Sequence, residues 1–492
     1  MTGERSPVLS LRGAAICLAA AILLLWPMTL VTVPLVHYDS FAYAEMGREI
    51  LAHLFSPRAF DDAGSGADGK GLNVLRSPAW SVYLAGLGGL PWGAVAACAL
   101  QTAATLFVLG ALVPAETAIR RWPAVAGALA VAALSALPWY ASYAMPDLLG
   151  ALVIAYYAAL AGALEREGRA IRWTLGGLAT FAILSHYGNL PLAAALAVLV
   201  MLVQLPTLNA RRAVAAFGPL AIALAFSAAI DIGLEHAAGE PTASETGAGE
   251  AAAPMASADV PRRLPILLAR SIQDGPALWH LRDACARDVY RSCALLDPLP
   301  ETVGEFLWSE SGMRGLTDAE QATVRSEQWD ILFGAVRAYP VAQATATMRN
   351  TALQLVRMGT GQIMPFPPIG PDGMRQPVRA AERDSHPVLR IINWPIRIAT
   401  ALAGLALVLR IVTGRTDRRL VLPAFIILAG LLVNAAIFGG LSYPVDRYQG
   451  RLAWLVPALL ALDLALAPKT RAAGRRGQAG FAGGRAKRTG IV

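Results

Sequence analysis

The sequence predicts an all-α polytopic membrane protein: about ten transmembrane helices, interfacial helices in the first outer loop, and a small extracytoplasmic domain. Three observations carry that reading. Of 492 residues, 55% are hydrophobic and only 15% charged, with a mean hydropathy of +0.49, a balance typical of membrane chains. Uncharged windows recur at the ~20-residue length that a helix needs to cross a hydrocarbon core. Arg-rich connections alternate with acidic and aromatic ones, as expected when cationic loops stay in the cytoplasm.

The first window, 13–36, is too long for the apolar stretch of a removable leader and has no Ala-x-Ala site, so it reads as the first span. Window 79–115 exceeds one helix and carries a break at Pro91-Trp92-Gly93. Its first part, 79–90, is too short to cross and is placed along the outer interface, while the remainder crosses. Windows 123–145 and 148–164 follow as spans. Window 173–210 breaks at Tyr187-Gly188-Asn189-Leu190-Pro191 and yields two spans joined by a tight outer turn. Windows 213–230, 398–409, 420–445 and 452–468 complete the set.

One group of connections holds Arg120 and Arg121, then Arg166, Arg169 and Arg172, then Arg211 and Arg212, then Arg410, Arg415, Arg418 and Arg419, and the tail. The other holds Asp39, Asp147, His186, the long segment after Gly233, and the stretch from Tyr443 to Arg451. Both termini are therefore expected inside and the acidic loops outside, in a cytoplasmic (inner) membrane. The net charge of +8 is then a topology signal, and no nucleic-acid partner is expected from the basic tail.

The organisation follows. Residues 1–233 form an N-terminal transmembrane module whose first outer loop is 37–91. Residues 234–386 form an extracytoplasmic portion that opens with a Glu-, Ala- and Gly-rich linker, 234–260. C-terminal transmembrane helices occupy 387–468, and 469–492 is a basic cytoplasmic tail. Within the outer portion, 331–358 has apolar residues at mixed helical spacing with Arg337, Arg349 and Arg357 between them, which reads as surface-lying helices.

Of four cysteines, Cys17 and Cys98 fall in spans, where small buried thiols are ordinary. Cys285 and Cys293 share the outer portion, an oxidising setting that favours a disulfide. On one continuous helix they would stand roughly 12 Å apart, beyond bridging distance, so a bridge requires a bend within 286–292. Gly64-Ser65-Gly66-Ala67-Asp68-Gly69-Lys70-Gly71 has Walker A spacing up to its lysine but offers Gly71 where magnesium binding needs Ser or Thr. It reads as a loop.

Chemistry-bearing residues gather at one interface. Asp39 and Tyr43 lie one turn apart at the start of a short helical pattern that includes Glu45, Arg48 and Glu49. Arg76 precedes Ser77-Pro78, Asp147 follows Pro146, and His186 with Tyr187 closes a span. Asp446, Arg447, Tyr448 and Arg451 precede the last span. Carboxylates and cations converging in this way suit a reaction in which a carboxylate takes a hydroxyl proton while cations hold an anionic leaving group. Each residue also has a structural role open to it: helix capping for Asp39 and Asp147, an interfacial imidazole for His186, an aromatic belt for Tyr43, Tyr187 and Tyr448, and snorkelling to headgroups for Arg397 and Arg451.

At these residues the chain resembles the GT-C class of integral membrane glycosyltransferases, in the branch of lipid A aminoarabinose transferase and protein O-mannosyltransferases. Asp39-x-x-x-Tyr43-Ala44-Glu45-x-x-Arg48-Glu49 is similar to the acidic first-loop motif of that branch. Arg76-Ser77-Pro78 resembles its basic-Pro element, Asp147 falls at its second aspartate, His186-Tyr187-Gly188 stands where a Lys-Gly element ends the fifth span, and Arg447-Tyr448 resembles the Arg-Tyr before a late span. The resemblance covers most of 1–210 and then 440–468.

It implies a GT-C-like bundle that moves a sugar from a polyprenyl-phosphate donor to a hydroxyl of an extracytoplasmic lipid, polysaccharide or protein acceptor. By that analogy Asp39 is the general base, and Asp147 orients the acceptor or assists. Arg76, His186 and Arg447 contact the carrier phosphate, with Tyr43, Glu45, Tyr187 and Tyr448 lining the substrate site. Metal-binding relatives often have Glu before the basic-Pro element; Val74-Leu75 stand there here, so dependence on a divalent metal stays open and no cofactor is assigned. The rival readings are a transporter or flippase of a lipid-linked or anionic substrate, which calls for polar groups at mid-membrane depth, and a non-catalytic membrane scaffold.

Overall fold

In the computed structural model the described residues are 10–30, 34–55, 76–112, 122–162, 164, 168–207, 209–237, 264–361, 363 and 387–466. Outside them lie the Walker-like loop, Val74-Leu75, most of the 234–260 linker and the tail 469–492. Among the described residues, six helices are long and apolar enough to cross a membrane: Leu11–Leu30, Trp92–Leu112, Ala210–Ile230, Ile391–Val412, Arg418–Gly440 and Asp446–Leu466. The chain is thus an all-α, multi-pass membrane protein. Two shorter apolar helices, Pro146–Gly162 and Asn189–Val203, accompany them. The remaining expected spans are helical but short. Residues 123–145 divide into Trp122–Leu134 and Leu137–Ala141, because Ser135 turns its hydroxyl back to the Val131 carbonyl and Pro138 starts a new turn. Arg169–Leu184 has 16 residues.

In chain order the main helices are α1 (Leu11–Leu24), α2 (Tyr38–Phe55), α3 (Pro78–Gly86), α4 (Trp92–Leu109), α5 (Trp122–Leu134), α6 (Leu149–Gly162), α7 (Arg169–Leu184), α8 (Asn189–Val203) and α9 (Ala210–Ala237). Within 264–361 follow α10 (Ile266–Asp274), α11 (Pro276–Cys285), α12 (Asp318–Ala338) and α13 (Pro340–Val356). The last are α14 (Pro387–Val412), α15 (Arg418–Ala435), α16 (Asp446–Ala453) and α17 (Leu455–Leu466). A π-helical turn, Ala436–Gly440, extends α15. Both expected breaks occur: α3 and α4 part before Trp92, and α7 and α8 part at residues 185–188.

The centre of the bundle is α6, a helix with no charged residue, buried from Leu149 to Ala161. It packs against α4, α7, α8 and α15. Small residues allow the close approaches; at Gly430 of α15 an added Cβ would stand 3.1 Å from Ile154. Apolar side chains in lipid gain nothing from leaving water, so this close van der Waals fit is what favours the assembled bundle.

Helices α2 and α3 lie side by side at one end of the bundle. Gly47 permits that contact, since a Cβ there would fall 2.0 Å from the Ser81 carbonyl oxygen. Ser77 caps α3 by accepting from Trp80 N, and its hydroxyl also donates to the Leu184 carbonyl. The start of α3 is thereby tied to the end of α7.

Helices α10 to α12 have a hydrophobic core of their own, including Leu268, Ile272, Leu281, Phe306, Val324 and Ile331. Cys285 and Cys293 form a disulfide with Cα atoms 5.4 Å apart. The chain bends between them, with Asp288 in the left-handed region at φ 53°. Helix α9 runs to Ala237, so the first residues of the expected linker are helical.

Candidate functional site

The site begins with a backbone contact. Leu35 and Tyr143 form an isolated parallel bridge, with Leu35 N donating to Ser142 O at 3.2 Å and Ala144 N donating to Leu35 O at 2.8 Å. Asp39 follows the first of these segments and Asp147 the second, so one pair of hydrogen bonds brings both carboxylates to the same end of the bundle.

Arg447, in the first turn of α16, joins them. Its Nη1 lies 3.4 Å from Asp39 Oδ2 and its Nε 3.4 Å from Asp147 Oδ1. Arg451, one turn later on the same face, brings Nη1 to 3.5 Å from Asp147 Oδ1. Arg76 donates to Asp39 Oδ1. Among the described residues, three guanidinium groups thus face two carboxylates in a largely buried cluster, an arrangement suited to an anion.

The two aspartates are held differently. Asp39 is hydrogen-bonded to Arg76 and Arg447. Burial alone would push its carboxyl up, but the adjacent His37 ring and then the guanidinium groups of Arg447 and Arg76 reverse this and hold it well below the usual carboxylate range. Asp147 is fully buried, and among the described residues neither of its oxygens accepts a hydrogen bond and its charge is balanced by Arg447 and Arg451. The capping roles fail for both: Asp39 spends its oxygens on arginines, and Asp147 caps no N–H.

His37 completes the floor. Arginine can only donate, so Arg447 Nη1 at 3.0 Å makes His37 Nδ1 the acceptor. Asp39 N also approaches that nitrogen, at 3.3 Å. The ring is therefore neutral, and the 3.3 Å approach of Asp39 Oδ2 to Nδ1 is a contact rather than an ion pair. Burial, with opposition from nearby Asp39, keeps the imidazole below its ordinary range.

Aromatic side chains set the arginines. The Arg451 guanidinium lies 4.5 Å from the Phe438 ring centroid and that of Arg447 5.2 Å from Tyr448, favourable cation–π distances. Phe438 and Tyr448 pack at 4.4 Å. Arg451 Nη2 donates to Asn434 Oδ1 at 3.3 Å, and Asn434 Nδ2 in turn donates to the Tyr448 carbonyl at 2.8 Å. Gly188 makes room for Phe438; a Cβ there would meet its Cζ at 2.0 Å.

The other expected site residues divide. Tyr187 donates to the Arg76 carbonyl at 3.0 Å and so fixes the segment bearing that arginine. Tyr43 is buried on α2, where burial and the nearby Asp39 charge push its hydroxyl up. His186 sits beside Phe438, ring centroids 5.7 Å apart, and its Nδ1 accepts from Gly188 N. Glu45 is on the exposed side of α2, away from the arginines. Among the described residues no group of three or more His, Cys, Asp or Glu could hold a metal ion.

For two arginines the structure decides against the snorkelling role left open by the sequence. Arg451 is fully buried, so it does not snorkel. Arg397 pairs with both oxygens of Asp446 at 2.8 Å. The signal for Arg451 was its i, i+4 spacing from Arg447: two cations on one face at a span end are costly unless carboxylates meet them. His37, Asn434 and Tyr140, whose hydroxyl donates to Gly359 O at 2.9 Å, carried no such signal.

An apolar cavity of about 570 Å³, lined by Val203, Val408, Val421 and Phe425 among others, lies at the opposite end of α15 from the cluster. Nearby, Asp463 is satisfied by Arg410 and by Asp417 N, so it is a structural pair. Neither a protein-family model, nor a curated protein, nor a solved structure matches the chain.

Proposed function

We propose that the protein is a GT-C-like membrane glycosyltransferase of about ten spans, counting the shorter helices α5 to α8 among them. It moves a sugar from a polyprenyl-phosphate donor to a hydroxyl of an extracytoplasmic acceptor. The observation that carries this reading is the sharing of Arg447 between Asp39 and Asp147 beside two further arginines.

In the proposed reaction the acceptor oxygen attacks the anomeric carbon and its proton passes to Asp39. The bond from that carbon to the phosphate oxygen breaks, and polyprenyl phosphate departs with the electron pair. Asp39 as found is a weak base, because two guanidinium groups hold its charge. A donor phosphate competing for Arg76 and Arg447 would weaken that hold and raise the carboxyl towards a useful range. Donor binding would thereby switch on the base. Asp147 keeps Arg447 and Arg451 in place and orients the acceptor.

The test uses purified protein with a panel of polyprenyl-phosphate sugars, comparing the parent chain with Asp39→Asn and Asp147→Asn. Donor consumption by the parent and its loss in Asp39→Asn, with folding unchanged by size-exclusion profile, is expected. No hydrolysis or transfer with any donor, together with an Asp39→Asn variant that leaves the cellular phenotype intact, abandons the reading in favour of a transporter or scaffold.

A further inference from the structure

Helix α13 is built inside out. Its buried positions include Asn350, at 1% exposure, and Gln354, at 0%, whereas Val341 is 78%, Met348 66% and Val356 63% exposed. Leu353 and Ala352 are exposed beside them. A helix on a water-soluble domain turns its apolar stripe inward and its amides outward. Here the amides face protein, and the stripe repeating along 341, 348, 352 and 356 faces out.

The buried amides have specific tasks. Gln354 exchanges two hydrogen bonds with Val445, donating to its carbonyl at 2.8 Å and accepting from its N–H at 2.9 Å. Asn350 donates to Asp274 at 2.8 Å. Close backbone approach supports them: a Cβ at Gly439 would stand 2.5 Å from Asn350 O, and one at Gly440 2.8 Å from Thr347 Cγ2.

These contacts set the level of α13. Gly439 and Gly440 end the span Arg418–Gly440, and Val445 immediately precedes the span Asp446–Leu466. Just beyond the C-terminus of α13, Thr360 donates from its N–H to Asn393 Oδ1 at 2.6 Å, near the start of the span Ile391–Val412. Three spans are therefore met at the same end. Next to Asn393, Trp394 is 67% exposed, as an aromatic at the lipid boundary is.

We infer that α13 lies in the plane of the membrane interface, with Val341, Met348 and Val356 buried in the lipid leaflet on the side of the arginine cluster. The apolar stripe faces acyl chains, exposed Arg357 extends to the headgroups, and Arg349 lies 3.6 Å from Asp274 Oδ1. Helices α10 to α12 are thereby fixed against the bilayer. This inference stands apart from the transferase reading, because it depends only on polarity and level.

The test is site-directed spin labelling of the full chain in phospholipid vesicles, with Met348→Cys and Val356→Cys as reporters and Ser326→Cys, on exposed α12, as the aqueous reference. The native thiols of Cys17 and Cys98 are buried and Cys285 is bridged to Cys293, so the unsubstituted chain supplies the background. Collision with dissolved oxygen is expected to dominate over collision with a water-soluble nickel chelate at 348 and 356, and the order is expected to invert at 326. Nickel dominance at 348 and 356 overturns the inference by showing water there. Low collision with both reagents also overturns it, by showing that protein, such as a second copy of the chain, covers the stripe.

Discussion

Asp39 and Asp147 share one guanidinium, that of Arg447, which stands 3.4 Å from each carboxylate. The planar fork presents separate nitrogens, Nη1 to one acid and Nε to the other, a spread that a compact lysine ammonium lacks. Arg447→Lys is therefore expected to lower turnover by about 100-fold, on the scale of losing one transition-state donor. Arg447→Ala leaves two buried carboxylates short of a partner and should destabilise the protein by about 3–5 kcal/mol. Turnover assays and thermal unfolding in detergent distinguish the two effects.

Arg76 acts on Asp39 from the other side. Because its charge helps to hold the carboxyl low, Arg76→Gln should raise that group and move the acid limb of kcat/KM to higher pH. In the parent chain no loss attributable to Asp39 is expected between about pH 8 and pH 5, since even an ordinary aspartate titrates near 3.9. A pH–rate profile of the two proteins checks the direction. An acid limb that stays in place removes Asp39 from the role of base.

His37 is buried with its imidazole held below the usual range. The unfolded chain then binds the proton that the folded one refuses, so stability rises with pH across that window. The melting temperature is expected to fall as pH drops below about 6.5, with a limiting slope of about 1.4 kcal/mol per pH unit for one proton. His37→Gln should reduce that slope by its own share, leaving the parts due to His186 and His280, whose imidazoles burial also holds below the ordinary range. Asp39 contributes a separate loss that sets in as pH falls below the ordinary aspartate value of about 3.9 and is complete once its lowered folded-state value is passed.

Gly47 is where α2 and α3 touch. A methyl group there would lie 2.0 Å from the Ser81 carbonyl oxygen, and a backbone atom cannot rotate aside. Gly47→Ala is expected to cost about 1–3 kcal/mol and to separate Asp39 from Arg76, reducing turnover more than the melting shift alone explains. Activity measured well below the melting point tests this.

The Cys285–Cys293 bridge closes a short loop between α11 and α12. Cys285→Ser is expected to cost roughly 2–3 kcal/mol by loss of loop constraint, read as faster hydrogen exchange at residues 286–296 with exchange in α6 unchanged.

Much of this was legible in the sequence where a residue broke a rule of its surroundings. Asp39, Asp147, Arg76 and Arg447 stand out because charge beside an apolar run is expensive, and the structure does bring them together. The breaks at residues 91–93 and 187–191 were readable from proline and glycine. Span count was less so, because hydropathy sees composition and not the Ser135 turn that divides 123–145. Snorkelling stayed open for Arg451 and Arg397 because their partners, Asp147 and Asp446, became neighbours only through packing. Glu45 belongs to a motif in the sequence yet faces away, since helical geometry turns position 45 off the face shared by 39 and 43. The surface-lying character of 331–358 was readable from its apolar spacing, but not which side of α13 meets protein, because the buried amides Asn350 and Gln354 find their partners only through packing.

The Leu35–Tyr143 bridge works as a ruler. Asp39 stands four residues past Leu35 and Asp147 four residues past Tyr143, so both carboxylates are measured off from one fixed mark by equal steps. Insertions elsewhere in the long connections leave those two offsets intact, whereas deleting a single residue between the mark and either aspartate would rotate its side chain out of register. Variation in length should accordingly be tolerated in the loops and forbidden in these two short stretches.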